Sequence, residues 1–516
     1  MQHNKRKQNE QEINIMSKQN QSVDAEYDLV VVGGGASGKS AALTAAQAGL
    51  SVVILEKLPE TGGTAVYAEG TAAFESSEQK ARKTPAHAGK HFPTREEGFR
   101  RYTDYSHHRA NPDVVRMQVN NTAETIDIYK SLGITYTDVT IYAYDQPNEL
   151  YSFHRPEGLG AKCQELLLKA VQNAGVDIFT STPAKKLIMK DGAVTGVIAQ
   201  DSAGNTMRIA AKAVILASGG FGNNPDLVAK YSWFPRTAHS MYKCVPTENT
   251  GDGLMMALEA GADTESLGAV MIIACARDKT LTSHVSGAGS QPVLWVNKTA
   301  HRFASEEVAM SFADTGNTVA KQPDGVVYAI IDSDTVRHLM EEGSDIGLGD
   351  FIEYHMKLTH LQTELDQDVE AGIAWKGNTI ADLARATGLD PAALSRTVAE
   401  YNEAYDKKYD PLFFKPAKFL RPVRKAPFYA INMAPCVLVS CGGIRVNGDL
   451  QVTDKNYKPI PGLYAVGMEA SGLYGDTYNL DVPGTANGFA HASGRVAARH
   501  VVKTVQAMEK ELVHTV

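Results

Sequence analysis

The stretch Val30–Lys57, VVVGGGASGKSAALTAAQAGLSVVILEK, decides the fold. It satisfies two phosphate motifs at once. Gly33, Gly38, Lys39 and Ser40 spell the triphosphate P-loop, G-x-x-x-x-G-K-[ST], while Gly33, Gly35 and Gly38 spell the dinucleotide fingerprint, G-x-G-x-x-G. Both put a glycine-rich turn between a strand and a helix, so that backbone N–H groups and the positive helix end meet phosphate. The flanks separate them. Tyr27–Gly33 is a continuous apolar run and reads as a buried parallel strand. The alanine-rich segment after Gly38 reads as a helix closed at Gly49, and Ser51–Glu56 reads as a second strand ending in a carboxylate. About 20 residues after the glycines, that carboxylate has a use in accepting from ribose hydroxyls, and none in a P-loop. A P-loop also needs an acid at the end of another apolar strand to help hold Mg²⁺. The best such strand, AVILASGGFG at Ala213–Gly222, ends without one. The dinucleotide reading follows, with Gly33, Gly35, Ala36, Ser37, Gly38, Glu56 and Lys57 as expected cofactor contacts. Lys39 and Ser40 are then expected at the exposed start of a helix, their P-loop match a coincidence.

The remaining composition narrows the class. The chain has 516 residues, 43% hydrophobic and 21% charged, with net charge −8. That allows several domains with sizeable cores and gives no reason to expect a nucleic-acid partner. The five cysteines form no C-x-x-C, so neither a dithiol motif nor a zinc ribbon is expected. No metal site is expected either, and the cysteines read as thiols of a reducing cytoplasm, with Cys441 beside a glycine pair singled out among them. Residues 1–24 are polar and lack the apolar stretch of a secretory signal, which predicts a disordered tail, with Met16 an alternative start. No apolar run is long enough to predict a membrane span.

Four further blocks extend the reading: TGGTAVYAEGTAA at Thr61–Ala73, AVILASGGFGNN at Ala213–Asn224, TENTGDGLMMALEAGA at Thr247–Ala262, and Cys441–Gly472 with GLYAVGMEASG near its end. In this order they resemble the fumarate reductase / 3-ketosteroid dehydrogenase family of FAD flavoproteins, from Asp28 to His500. The resemblance implies an α/β fold. A Rossmann-like FAD-binding domain, a parallel sheet with a β-meander, occupies residues 25–262 and 422–516. An α+β capping domain at 263–421 interrupts it. The meander falls on Lys185–Ala217, with turns at Asp191-Gly192 and Ala203-Gly204. An extended dinucleotide needs several backbone approaches, and the resemblance assigns these to Gly62, Gly63, Thr64, Gly70, Ala184, Ala217, Ser218, Gly219, Thr250, Gly251, Asp252, Gly467 and Met468. Thr485 and Ala486 open a helix expected to point at the flavin. Family members with covalent FAD carry a histidine just after the glycine pair; Thr64, Ala65 and Val66 stand here, so the FAD is expected to be non-covalent. Met468 replaces a family glutamate, with Glu469 next to it.

The substrate residues of fumarate reductases do not carry over. Met310 stands in place of the proton-donating arginine, Val285-Ser286 in place of a Thr-Glu pair, Ala274-Cys275 near one histidine and Tyr474 at the other. Without those groups two carboxylates cannot be held in a dry site, so fumarate is not expected as substrate. Gly475–Tyr478 instead resembles the block by which 3-ketosteroid dehydrogenases hold a carbonyl, with Asp476 replacing a histidine. Tyr478 and Gly484 would polarise that carbonyl, although the spacer to Gly484 is two residues longer than in the family. Tyr474 is a further candidate. A second acid/base falls in a tyrosine-rich stretch, at Tyr142 or Tyr144, with Tyr144 preferred. His107-His108 reads as loop. The expected activity is reduction of a C=C bond conjugated to a carbonyl, by hydride transfer through flavin N5, with NAD(P)H or a separate flavin reductase as donor. A 3-ketosteroid 1-dehydrogenase is the alternative within the fold, and a P-loop hydrolase or a non-catalytic binding protein the alternatives outside it.

Overall fold

Strand β1 (Ala25–Val32) runs parallel to β2 (Val52–Leu55), with Leu29 opposite Val52 and Val32 opposite Leu55. Helix α1 (Ala36–Gln47) joins them. These strands lie in a computed structural model that describes residues 23–84, 87–142, 149–347, 349 and 351–515. The predicted tail up to residue 22 and Tyr144 lie outside the described residues. Strand β3 (Asp177–Phe179) extends the sheet parallel to β2. Strands β4 (Ala184–Lys190), β5 (Ala193–Gln200) and β6 (Thr206–Leu216) form the expected antiparallel meander, and β6 from Ile209 to Leu216 also runs parallel to β1. Alanine and glycine in α1 allow the close approach this unit needs: a Cβ at Gly38 would stand 2.0 Å from the Gly33 carbonyl oxygen.

A second sheet holds β7 (Val270–Ala276), β8 (Leu294–Asn297), β9 (Val327–Asp332), β10 (Ala374–Gly377) and β11 (Phe428–Ser440), with Tyr242–Lys243 at its edge. Long β11 is its centre and pairs antiparallel with β7, β9 and β10. Both Tyr242–Lys243 and β11 fall outside the stretch 263–421 expected for the cap. Nearly every residue of β11 is buried, so this strand needs cover on its faces, and helices Phe312–Ala320, Ile380–Thr387 and His284–Gly289 pack against it. Helix α2 (Phe312–Ala320) presses on β7, where Gly316 leaves no room for a Cβ against the Ile272 carbonyl. The outer part of this sheet has its own apolar cluster around Leu294, Val296, Ile330 and Leu394.

The chain then returns to the first sheet. Strand β12 (Gln451–Thr453) pairs with β13 (Pro459–Ala465), and β13 runs parallel to β6, Leu463–Ala465 against Val214–Leu216. The last helix, α3 (Thr485–Thr515), packs along α1, so closely that a Cβ at Gly494 would lie 2.2 Å from the Ser37 carbonyl oxygen. A small sheet of Thr71–Ala72, Tyr136–Thr140 and Phe153–Pro156 stands beside the start of α3. Among the described residues no helix is long and apolar enough to cross a membrane.

Candidate active site

A cavity opens at the C-terminal ends of β1, β2 and β6, where ligands bind in sheets of this kind. Gly33, Gly35, Ala36 and Ser37 line it from the start of α1, and Glu56 and Lys57 from the end of β2. Gly63, Thr64, Ala184, Ala217, Ser218, Gly219, Asp252 and Met468 complete the wall. The start of α1 has no side-chain cap and no acid in its first turn, so its N–H groups are open to an anion. A Cβ on Gly35 would project into space with no atom nearer than 4.0 Å, so glycine there keeps the cradle open. Glu56 is 8% exposed; its two carboxylate oxygens accept from the backbone N–H of Gly34 (2.8 Å) and Leu58 (2.9 Å). Each oxygen keeps a second lone pair for a hydroxyl donor. Lys57 Nζ donates to Thr250 Oγ1 (2.6 Å) and pairs with Asp252 (2.7 Å) at the rim. Uncapped N–H groups, an open glycine cradle and a carboxylate suit a dinucleotide.

Gly38, Gly62, Thr250, Gly251, Gly467 and Thr485 do not line this cavity. Gly467, with φ +60°, lets the chain pass Ser37, whose Oγ would stand 2.7 Å from an added Cβ. Asn249 was not singled out by the sequence, yet it lines the cavity and donates to Thr64 Oγ1 at 3.0 Å.

A second cavity shares Thr64, Ala65, Met468 and Ala490 with the first, so the two meet there. Its walls are apolar: Phe153, Met271, Leu281, Phe312, Phe351, Leu438 and Leu480 among others. Polar groups are few. Tyr478, Asn487, Thr64, Tyr67 and Tyr142 contribute theirs, and Glu69 brings the single carboxyl among the lining residues. Gly70, Gly484 and Ala486 line this second cavity. The Tyr478 hydroxyl oxygen accepts from the Ala486 N–H (3.2 Å) in the first turn of α3, leaving its hydrogen to donate. Burial pushes the Tyr478 phenol well above its usual value, so it stays protonated. Asn487 Nδ2 donates to Gly70 O (3.2 Å) and Thr71 Oγ1 (2.8 Å), fixing the helix start against the glycine segment. Gly484 has φ +77°, and a Cβ there would meet Ala72 N at 2.7 Å.

The sequence from Asp28 to Asp481 matches the family model described as FAD binding domain. The chain belongs to that family. It is an FAD-dependent oxidoreductase. The flavoprotein is 35% identical over 493 residues to the vinyl phenol reductase of Lactiplantibacillus plantarum, covering 92% of this chain and 96% of that one. Its fold is similar to the open conformation of a flavocytochrome c3 fumarate reductase, with TM-score 0.73 at 25% identity over 95% of this chain and 81% of that one. It is also similar in fold to the 3-ketosteroid delta1-dehydrogenase of Sterolibacterium denitrificans, with TM-score 0.75 at 20% identity over 93% and 100%.

Several expectations need correction in this flavoprotein. Lys39 and Ser40 are not exposed: they are 1% and 5% accessible, because α3 and helix Leu159–Asn173 cover the side of α1 away from the sheet. Lys39 Nζ donates to Gln164 O (3.2 Å), and burial, partly opposed by Glu56, pulls its pKa down to about 7. Ser40 Oγ bonds His491 Nδ1 at 2.7 Å. Glu469, next to Met468, does not line the first cavity. It is fully buried, accepts from Ser218 Oγ and the Gly220 N–H (3.0 Å), and burial raises its pKa. Tyr474 stacks behind Tyr478, ring centroids 5.3 Å apart, and does not line the second cavity. Met310, Val285, Ser286, Ala274 and Cys275 are buried away from it as well; Phe312, Leu281 and Met271 face it instead. Cys441 is a buried thiol whose pKa is raised by burial, as expected of an unreactive one. His107 and His108 lie in a left-handed turn, with φ +52° and +57°.

Proposed function

We propose that this flavoprotein reduces the C=C bond of a small, largely apolar substrate whose double bond is conjugated to a carbonyl or to a para-hydroxyaryl ring. The observation that carries this is the second cavity: apolar walls, tyrosine hydroxyls, and no arginine, lysine or histidine among its lining residues. A dicarboxylate would enter it without a cation, at a cost of several kcal/mol per uncompensated charge. A neutral styrene or enone loses little on leaving water and gains apolar contact. The relationship to a vinyl phenol reductase supports the same class.

Bound FAD, held non-covalently in the first cavity, would supply the hydride once reduced by NAD(P)H or by a separate flavin reductase. The chain's part is to exclude water, hold the substrate oxygen and bring a proton. With a carbonyl-conjugated substrate, Tyr478, backed by the positive end of α3, donates to the carbonyl oxygen on which negative charge develops. The test is an anaerobic incubation of FAD-loaded protein with an artificial reductant and, separately, 4-vinylphenol, a cyclic enone, urocanate and fumarate, followed by product chromatography. Saturated product from 4-vinylphenol or the enone, with little from fumarate, is expected. Fumarate turned over faster than every neutral compound would overturn the reading.

A further inference from the structure

Glu69 sits where an apolar substrate gives it no charge to neutralise. It lines the substrate cavity together with Tyr142 and Tyr478, and its carboxyl is hydrogen-bonded to the Tyr142 hydroxyl and to the Phe351 backbone. Tyr142 is held in place: its ring packs edge-on against Phe153 at 5.8 Å, and a Cβ on Gly349 would stand 2.6 Å from its hydroxyl oxygen. Tyr142 and Phe153 also line a separate polar hollow with Arg155 and Glu353. Arg155 and Glu353 lie 3.8 Å apart, and the Glu353 side chain is 69% exposed. Tyr142 of the Glu69–Tyr142 pair thus stands between the substrate cavity and this hollow.

We propose that Glu69, acting as a neutral carboxylic acid, turns the Tyr142 hydroxyl hydrogen into the cavity and replaces it once spent, so that the pair delivers the proton completing reduction. This rests on the C=C reductase reading above. In the step, the hydride from reduced cofactor bonds to one carbon of the double bond, carrying both electrons. The π pair of that bond takes the proton of Tyr142 at the other carbon. The phenolate oxygen takes the Glu69 proton, and solvent reprotonates Glu69 by way of the Arg155–Glu353 hollow.

The direction of the Glu69–Tyr142 hydrogen bond makes the pair pH-sensitive. A neutral Glu69 donates to the phenol oxygen and leaves the phenol hydrogen facing the substrate. An ionised Glu69 accepts from the phenol and turns that hydrogen away. Burial raises the Glu69 pKa to about 8, against the pull of Tyr142, Arg155 and the Phe351 N–H. The other titratable groups near the pair are Glu149, which accepts from the Tyr142 backbone N–H, and Tyr478, whose phenol stays protonated. The competent form is therefore present below pH 8 and lost as pH rises through it.

Glu69→Gln in the FAD-loaded protein tests this. The amide still donates to Tyr142 but cannot resupply a proton. Reoxidation of reduced flavin by 4-vinylphenol should fall in wild type as pH rises above about 8. In Glu69→Gln it should be slower by about 10²-fold and lack that fall, with FAD content unchanged. The infrared difference spectrum, wild type minus variant at pH 7, should show a carboxylic acid C=O band; this readout needs no turnover. Absence of that band, or a variant keeping the wild-type rate and pH profile, overturns the proposal. Failure of every unsaturated compound to reoxidise the wild type would instead sink the reductase reading, while the infrared band still decides the state of Glu69.

Discussion

Tyr478 meets the first turn of α3 through one hydrogen bond, its hydroxyl oxygen accepting from the Ala486 N–H at 3.2 Å. That bond couples a side-chain donor to the helix dipole and leaves one hydrogen for the substrate oxygen. Tyr478→Phe keeps the ring and its stacking on Tyr474. It should lower the rate of flavin reoxidation by substrate by about 10²–10³-fold, while FAD content and melting temperature stay near wild type. A variant that reacts at the wild-type rate would return Tyr478 to a packing role. Individual residues were legible in the sequence where the signal was local. Glu56 was readable because its distance from Gly33 is fixed by one strand, one helix and another strand. Lys39 was not, since its burial depends on Gln164 and on α3, far along the chain. Glu69 lay inside a quoted glycine block without attracting notice, because only folding brings Tyr142 and Arg155 to it.

At the scale of elements, β1–α1–β2 and the meander were readable from apolar runs and turn residues, and the structure has them where expected. The cap was harder. Its central strand β11 is assembled from partners spread over Val270–Gly377, and nothing local in Phe428–Ser440 says which sheet it will join. The outer cap is tied by a buried ionic cluster the sequence did not reveal. Arg302 makes paired bonds to Glu306 (2.9 and 2.8 Å) and to Asp410 (3.0 and 2.9 Å). Lys415 Nζ adds contacts to Glu306 (3.3 Å) and to Tyr401 OH (2.7 Å). All four charged side chains are at most 4% exposed, so two cations balance two anions out of water. Arg302→Met would leave one lysine for two buried carboxylates. The cost should be about 3–5 kcal/mol, read as a lower urea midpoint for loss of the cap's near-ultraviolet circular dichroism. An unchanged midpoint would mean the cluster contributes nothing that packing does not already supply.

Across the whole molecule, the first sheet builds a dinucleotide cradle, the second sheet carries the far wall of an apolar chamber, and the two cavities meet at Thr64, Ala65, Met468 and Ala490. The first cavity was legible from the glycine blocks, whose residues line it. The walls of the chamber were not, because its cap-side residues Met271, Leu281, Phe312 and Phe351 come from separate elements. The central claim is that the flavin occupies the first cavity and the substrate the second. Leu281→Trp would fill the second cavity from the cap side without touching the first. The most direct measurement is rapid-mixing absorbance of the anaerobically reduced, FAD-loaded protein against 4-vinylphenol, in wild type and in Leu281→Trp. The account predicts that the variant binds FAD and accepts electrons from dithionite as wild type does, yet its flavin stays reduced when substrate is added. Reoxidation of Leu281→Trp at the wild-type rate would contradict it, because the substrate would then reach the flavin by some path other than this chamber.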